Sequence, residues 1–418
     1  MIAHMKTPQN GSRGARPRAH LGHRTRPIAA TFRAGAAARG AFALAFALSP
    51  LTAAAAQVPA RSAPSQPASP YLQRVAVFGK DGRTPVPQSL HDISDRIGVL
   101  FDRRSRSVCT AFCVASDTVA TAAHCLYRTA GEKPLRLTDL AVRLYGKRST
   151  SRIAGADSGA PEANVVAGSS HLSVRPPIDA TRDWALVRLA KPLCKGGALK
   201  VSARALKDVM RLAAQGRVYN VAYHRDVPKW QPMLGRPCRV KRNFKDAPWS
   251  TIRRDFFNPG QLLLHTCDTG GASSGSPLLV DSANGPEVIG INVGTYVQSK
   301  VILLNGEVVH RFKADDVANT GVNAQVFAGM LAAFRGAELL ATSRQILRLQ
   351  DALAARGLYA GPREGRYGPV LRAAIVAFER SAAMPVTGLA TRALLAAVLS
   401  ESQVVTGKLA SGRPPRHR

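Results

Sequence analysis

Three short stretches of the sequence contain the residues whose types are best suited to covalent catalysis. TAAHC places His124 in an apolar run, DWALVRL places Asp183 before an alternating apolar segment, and SSGSP places Ser274 in a loop rich in glycine and serine. A serine hydroxyl becomes a nucleophile when an imidazole takes its proton and a carboxylate holds that imidazole in one tautomer. Together the three residue types predict acyl transfer through a covalent intermediate.

Each of these residues alone has an ordinary structural explanation. A single histidine in an apolar segment is more often structural than catalytic, an aspartate at the start of a strand is commonly solvated, and a Gly/Ser loop can be a linker. The surroundings of Ser274 argue against a linker, because Cys267 precedes the loop and the apolar PLLV follows it. Such a loop also bends tightly enough to aim backbone N–H groups at a developing oxyanion.

The segments around these residues have the pattern of a β protein. Between residues 75 and 323, turn residues separate short runs such as RIGVLF, TAFCVA, RVYNVAY, QLLLHTC and VIGINVGTYV. Several short strands at this spacing predict an antiparallel sandwich or a pair of barrels rather than alternating βα units. An apolar helix, FAGMLAAFRGAELLA, follows the last strand and closes this domain.

The apolar residues recur at helical spacing from about residue 343 to residue 400. Two predicted helices, SRQILRLQDALAA and PVLRAAIVAFE, are joined by the glycine-rich GLYAGPREGRYG, and a third, TRALLAAVLS, follows. Pro369 sits in a first helical turn, where proline is tolerated. The sequence therefore predicts a small all-α domain at 343–400, followed by a basic tail at 401–418.

The charge of the chain restricts its partners. The formal charge is +32 at pH 7, and it stays at +24 without residues 1–56, which contain eight basic residues and no acidic one. Such a surface attracts anionic polymers. The basic residues are dispersed and are not interleaved with aromatic ones, so we expect no nucleic-acid partner.

The N-terminal residues indicate export. A basic opening leads to GAFALAFALSPLTAAAA, which has the apolar core and the A-x-A pattern of a secretory signal peptide ending at Ala56. Residues 57–74 are rich in Pro, Ala and Ser and predict a linker or pro-segment. No later apolar run is long enough for a membrane span. We therefore expect a protein of the periplasm or the medium, without stable membrane insertion.

The three motifs, in the order His124, Asp183, Ser274, resemble those of the trypsin/chymotrypsin-like serine endopeptidases over residues 75–335. VFGKDGRTPV, at 77–86, is similar to the N-terminal stretch of the glutamyl endopeptidases. The resemblance implies a mainly β fold of two six-stranded antiparallel barrels, with the site between them and without a metal or cofactor. It also implies that Ser274 attacks the scissile carbonyl, His124 takes and returns the proton, and Asp183 orients His124.

Two residues beside Ser274 depart from the family pattern. Ser273 stands where trypsin-like zymogens have the aspartate that captures a new N-terminal ammonium group, so we expect activity without that ion pair. Ala272 stands where the family usually has glycine, whose backbone N–H shares the oxyanion hole with that of Ser274. If Ala272 must adopt positive φ, the strain costs about 1 kcal/mol. An inactive protease fold that binds wall polymer is therefore an alternative.

The position of three further residues indicates a substrate pocket. Asp268 falls where trypsin has the aspartate that receives Arg or Lys, although glutamyl enzymes have Asp there as a scaffold element. Thr269 fits the glutamyl pattern, whereas Asn292 stands where those enzymes have a substrate-reading histidine. A basic residue before the scissile bond is our expectation, with glutamate open as the alternative.

The cysteines agree with an oxidising compartment, because six of them can form three disulfides, with fifteen possible pairings. Cys109 and Cys125 bracket a predicted hairpin, so a bridge would fix the loop that contains His124. Cys238 and Cys267 suit a bridge across the strand that leads to the Ser274 loop. By elimination, Cys113 and Cys194 form the third pair.

The C-terminal helices resemble the three-helix peptidoglycan-binding domain of bacteria. The matching elements are LQDAL, GLYAGP, the GRYG turn, AIVAF and PVTG before the last helix. The resemblance implies peptidoglycan as a partner and cell-wall association. We therefore expect an exported serine endopeptidase directed to the wall, with a hydrolase of peptidoglycan stem peptides as a further alternative.

Overall fold

The computed structural model describes residues 72–73 and 76–400, apart from 129–133, 246, 299–300, 305–306 and 312–314. The expected signal peptide at 1–56 and the tail at 401–418 lie outside the described residues. The expected linker at 57–74 lies outside them too, except for 72–73, which form a strand. Among the described residues, every helix is too short or too polar to span a bilayer.

The strands of the described residues are short and follow one another closely. In chain order they are β1 (Leu72–Gln73), β2 (Arg83–Pro85), β3 (Ile97–Asp102), β4 (Val108–Ala115), β5 (Thr118–Thr121), β6 (Leu140–Leu144), β7 (Ser151–Arg152), β8 (Val165–Ala167), β9 (Ala185–Arg188), β10 (Lys200–Val201), β11 (Val218–Ala222), β12 (Met233–Gly235), β13 (Leu262–His265), β14 (Pro277–Ser282), β15 (Gly285–Gln298), β16 (Val301–Leu304), β17 (Glu307–Arg311) and β18 (Asp315–Asn323).

The helices are fewer, and the longer ones lie at the C-terminal end. They are α1 (His91–Ser94), α2 (Leu206–Ala214), α3 (Trp249–Ile252), α4 (Ala328–Arg335), α5 (Ser343–Ala354), α6 (Pro369–Ser381) and α7 (392–400). Short 3₁₀ turns connect several strands, including Ala123–Cys125, Pro161–Asn164 and Ala180–Arg182.

The first sheet has the strand order β7-β6-β3-β4-β5-β9-β8, and its neighbouring strands are antiparallel. An isolated bridge joins Ile153, just after the edge strand β7, to Leu189, just after β9 at the other side of the sheet. Residues of β4 and β5 such as Phe112 and Val119 are fully buried. Strands buried on both faces read as continuous apolar runs, which explains TAFCVA and TVATAA.

The second sheet has the strand order β13-β18-β15-β14-β11-β12-β2, and β1 and β10 pair with the long strand β15. β16 and β17 form a separate hairpin. The expectation of a mainly β fold followed by helices is confirmed. The two sheets contain seven and nine strands, several of which have only two or three residues.

Three disulfides join these elements. The pairs are Cys109–Cys125, Cys113–Cys194 and Cys238–Cys267, the same pairs as expected from the sequence. The first joins β4 to the turn after β5. The last lies in a small core between α2 and the second sheet. These bridges fix the strands on both sides of the loops described below.

The C-terminal helices pack on a core of their own, built from α5, α6 and α7. Thr342 caps α5 reciprocally with Gln345: the Thr342 hydroxyl accepts from the Gln345 N–H at 3.2 Å, and the Gln345 side chain accepts from the Thr342 N–H at 3.2 Å. Ala160 and Ala163, from the segment between β7 and β8, are buried in this same core. The helical domain is therefore attached to the β domain through shared apolar contacts.

Candidate active site

His124 and Asp183 meet because their strands are neighbours. β5 and β9 pair antiparallel with Thr121 opposite Ala185, so the turn after β5 and the turn before β9 lie side by side. Asp183 accepts two hydrogen bonds from His124, one from the backbone N–H to Oδ1 at 2.9 Å and one between ring Nδ1 and Oδ2 at 2.6 Å. Both side chains are almost fully buried. The carboxylate thus fixes both the orientation and the tautomer of the imidazole.

The loop that contains Ser274 lies against the first sheet. The Ser274 carbonyl accepts a hydrogen bond from the Thr110 N–H at 2.9 Å and lies 3.9 Å from the Cys125 sulfur, next to His124. Gly275 has φ +85°, and a Cβ there would lie 2.2 Å from the Thr121 hydroxyl. Only glycine allows this approach of the loop to β5. The Ser274 loop and the His124 turn are therefore in direct contact.

The second ring nitrogen of His124 is unoccupied by the protein. Nε2 is buried and has no hydrogen-bond partner among the described residues, so its bond to the Ser274 hydroxyl is not formed in this conformation. Catalytic hydrogen bonds of unliganded enzymes are often long and tighten only when substrate binds. Nε2 is the ring nitrogen that can accept a proton from a neighbouring group, since Asp183 engages Nδ1.

Ala272 has the backbone conformation that an oxyanion hole requires. Its φ is +81°, in the left-handed region, and its side chain is buried. Within the described part of the chain, the backbone N–H groups of Ala272 and Ser274 have no acceptor, whereas the N–H of Ser273 bonds to the Gly270 carbonyl at 3.1 Å. Two unpaired N–H groups beside a serine are the donors that stabilise a tetrahedral oxyanion.

Asn292, on β15, hydrogen-bonds to the loop that contains Ser274. Its Nδ2 donates to the Ser273 carbonyl at 3.1 Å and to the Ser273 hydroxyl at 3.3 Å, while its Oδ1 pairs with Nε2 of the buried His265 at 3.2 Å. Burial lowers the pKa of His265 to about 3, so its ring is neutral and can donate from Nε2. Asn292 thus occupies the position beneath Ser273 where an ion pair would otherwise hold the loop.

His224 holds the other end of the loop. Its Nδ1 accepts from the Gly270 N–H at 2.9 Å, and the N–H of the next residue, Arg225, donates to the Gly271 carbonyl at 2.5 Å. Burial lowers the pKa of His224 to about 4; Arg83 lowers it further, and Asp226 and Asp81 partly oppose this. A neutral ring is required here, since a protonated Nδ1 cannot accept.

Asp268 binds the N-terminal segment rather than a substrate pocket. Its Oδ1 accepts from the Phe78 N–H and its Oδ2 from the Gly82 N–H, both at 2.8 Å. Thr269 pairs with Ala76 through the backbone, with N–O distances of 2.8 and 3.2 Å. Asn292 is likewise fully engaged within the protein. Asp268 and Asn292 are thus hydrogen-bonded within the described part of the protein, and a substrate pocket formed by Asp268, Thr269 and Asn292 stays a prediction.

Cys109, His124 and Cys125 form a cluster whose donor atoms lie within 4.8 Å of one another. The two cysteines are joined in a disulfide. A metal binds cysteine as the thiolate, which a disulfide does not provide. The cluster is therefore the disulfide that fixes the His124 turn and not a metal site.

The supporting histidines were not anticipated from the sequence. His224 and His265 each end a β-like run, in RVYNVAYH and QLLLH, and this position was the only signal they gave. His224 contacts Gly270, which is 46 residues further along the chain, and His265 contacts Asn292, which is 27 residues further along. The sequence thus predicted three catalytic residues but did not predict the two histidine rings that hold the loop containing Ser274.

Comparisons with known proteins give two domain matches. Residues 109–291 match the trypsin-like peptidase domain, and residues 342–398 match a peptidoglycan binding domain. None of the curated proteins matches the chain. Among solved structures, that of a Glu endopeptidase in complex with MPD is 16% identical, covers 62% of this chain and 98% of its own, and has a TM-score of 0.38. Part of the chain is thus similar to trypsin-like peptidase domains, and a separate part after it is similar to peptidoglycan binding domains.

Proposed function

We propose that the protein is an exported endopeptidase in which Ser274, His124 and Asp183 form the catalytic triad, and that residues 343–400 hold it at the cell wall. The observation that carries the proposal is the pairing of His124 with Asp183 at 2.6 Å, with the opposite ring nitrogen left free next to the Ser274 loop. A buried imidazole oriented in this way is suited to act as the general base for a serine.

The reaction follows from these positions. Ser274 Oγ attacks the carbonyl carbon of the scissile bond as its proton passes to His124 Nε2, and the new oxyanion accepts from the N–H groups of Ala272 and Ser274. His124 then protonates the leaving amine as the acyl-enzyme forms. Water, activated by the same nitrogen, releases the acid product. Asp183 stays ionised and stabilises the imidazolium in both steps.

No aspartate precedes the nucleophile, so the loop needs another support. The contacts of Asn292 with Ser273 and of His224 with Gly270 supply one that is independent of a new N-terminal ammonium group. We therefore expect activity that does not depend on a free amino group at a processed N-terminus. A wall-binding domain raises the local concentration of such an enzyme at its target.

A fluorophosphonate probe tests the proposal, because it reacts only with a serine that has an activated hydroxyl. We expect the full chain to be labelled, Ser274→Ala and His124→Ala to be unlabelled, and Asp183→Asn to lose about 10⁴-fold in kcat on an unfolded protein substrate. Ser276→Ala, two residues along the same loop, is the matched control and should still be labelled.

The same experiment separates the alternatives. An unlabelled parent chain with normal folding would favour the inactive protease fold. Labelling together with release of stem peptides from purified sacculi, and no cleavage of denatured protein, would favour a peptidoglycan hydrolase over an endopeptidase that acts on proteins.

A further inference from the structure

A cleft of about 600 Å³ lies between the peptidase domain and the helical domain. Residues 165–171, with Tyr127 and Arg182, line it on the peptidase side, and residues 367–369, with Arg372, line it on the other. Tyr127 lies three residues after His124, and Arg182 directly precedes Asp183. The cleft therefore begins next to the turns that hold the proposed catalytic pair.

One wall of the cleft is a sheet edge with free backbone groups. β8 is the last strand of the first sheet and pairs only with β9 among the described residues. The Gly168 N–H donates to the Trp184 carbonyl at 2.9 Å, which fixes the alternation of the ladder. In an antiparallel pair every second residue turns its N–H and C=O away from the partner strand. Ala167 is such a residue, and its N–H and C=O face away from β9.

Charged groups line the same cleft. Glu162, Arg182 and Arg372 lie on its walls, with His171 at one end, and Arg182 is paired with Asp179 at 3.2 Å. Arg372 is exposed and has no acidic partner among the described residues. The Glu162 Oε2 atom is buried there without a hydrogen-bond partner in the described part of the chain. The cleft thus offers a free guanidinium to a carboxylate and an unsatisfied acceptor to an N–H donor.

The two walls are held at a fixed distance. Asn164 Nδ2 donates to the Leu340 carbonyl at 3.3 Å, the Ser343 N–H donates to the Ser158 carbonyl at 3.1 Å, and Gly159 forms a bridge with Thr342. The cleft is therefore preformed, which lowers the entropic cost of binding an extended ligand.

We propose that this cleft binds a short acidic stem peptide of peptidoglycan, with one ligand residue paired to the outward N–H and C=O of Ala167 and a ligand carboxylate on Arg372. A free sheet edge recognises extended peptide backbones, and side-chain contacts then give specificity. The peptidoglycan-binding match of the opposite wall favours a wall peptide over other peptides. The inference rests on the wall attachment proposed above. It assigns wall recognition jointly to both domains, next to the catalytic turns.

The test is a calorimetric titration of the full exported chain carrying Ser274→Ala, so that binding is measured without turnover. The probes are a disaccharide tetrapeptide from muramidase-digested sacculi and an L-tetrapeptide of equal charge. We expect Ala167→Pro, which removes only the outward N–H, to weaken binding of the wall fragment about tenfold, whereas Ala167→Val, which keeps it, stays within about twofold. Edge strands tolerate proline where the N–H is not used in the ladder.

A second pair of variants tests the helical wall of the cleft. These variants give a result even if Ala167→Pro does not fold. Arg372→Ala should weaken binding about tenfold, whereas Arg348→Ala, exposed on α5 outside the cleft, should not. Three results would each overturn the proposal. They are no binding of the wall fragment, loss of binding in Arg372→Ala with no effect of a folded Ala167→Pro, and equal binding of the L-tetrapeptide. Probe labelling of Ser274 reports separately on catalysis.

Discussion

Ala272 holds a backbone conformation that its own side chain makes costly. The φ of +81° lies where a Cβ is crowded, and the residue is buried beside Ser274. Strain at such a position is maintained only if the surroundings determine the conformation. The hydrogen bonds that His224, Arg225 and Asn292 make to residues 270–273 provide that constraint. The strained backbone of Ala272 and the hydrogen bonds that hold it are thus next to the two N–H groups of the proposed oxyanion hole.

Replacing Ala272 by glycine relieves this strain. We expect Ala272→Gly to raise the free energy of unfolding by about 1 kcal/mol, measured by urea denaturation, and to leave the rate of fluorophosphonate labelling equal or higher. Ala122→Gly is the control, because Ala122 is also buried but has an ordinary φ of −80°. It should destabilise the protein. Equal losses in both variants would contradict the strain argument.

The two hydrogen bonds that Asp268 accepts lead to a second prediction, about stability. Because both of its oxygens accept from backbone N–H groups, Asp268→Ala should lower the free energy of unfolding by about 2 kcal/mol and leave the cleavage preference in a peptide mixture unchanged. The exposed Asp95→Ala is the control and should change stability by less than about 0.5 kcal/mol. A lost preference for basic residues at unchanged stability would return Asp268 to the substrate pocket.

The loop that contains Ser274 depends on two neutral histidines for its conformation. His224 accepts from Gly270, and His265 supports Asn292, so both rings must stay unprotonated for these contacts to persist. Their pKa values of about 4 and about 3 lie below the ordinary value of 6.5. Between these values and pH 6.5 the unfolded chain binds more protons than the folded one. The stabilisation is therefore complete above about pH 6.5 and is lost as the pH falls towards 4.

His224→Asn should reduce this dependence, because the Asn oxygen can accept from Gly270 and does not titrate. We expect the free energy of unfolding of the parent to fall between pH 6.5 and 4.5 by up to about 1.4 kcal/mol per pH unit for each histidine. The free energy of unfolding of His224→Asn should fall less steeply, because one titrating histidine no longer contributes. His171→Asn, at an exposed histidine, should match the parent. An unchanged slope in the His224 variant would refute the role of this ring.

The motifs that bear chemistry were predictable because their spacing and neighbours are local. TAAHC, SGSP and the cysteine spacings could be interpreted without knowing which strands pair, and short strands broken by turns predicted the β class. The roles of His224, Asn292 and Asp268 were not predictable, because each depends on a distant backbone group. No local pattern indicates that Asp268 accepts from Phe78, 190 residues away.

At the scale of the whole molecule, the segment between β7 and β8 joins the two domains. Ala160 and Ala163 are buried within the helical core, and Asn164 hydrogen-bonds to the Leu340 carbonyl. The core that stabilises the wall-binding helices is therefore partly supplied by the peptidase domain.

We accordingly expect the two domains to unfold together in one cooperative transition. We expect Ala163→Glu, which places an unpaired charge in this core, to cost about 3 kcal/mol or more and to lower the midpoint of a single calorimetric transition. The exposed Ala190→Glu is the control and should behave as the parent does. Two separate transitions, with only one shifted by Ala163→Glu, would show that the domains are independent.

The rigid junction also limits where the enzyme can work. A protease on a flexible linker samples a volume set by the length of that linker. Here the direction from anchor to nucleophile is set by the fold, and a body of this size is roughly 50 Å across. Proteolysis would then be confined to a thin layer along the polymer and to one face of the bound molecule, so the protein would act on its immediate neighbours and spare whatever passes at a distance.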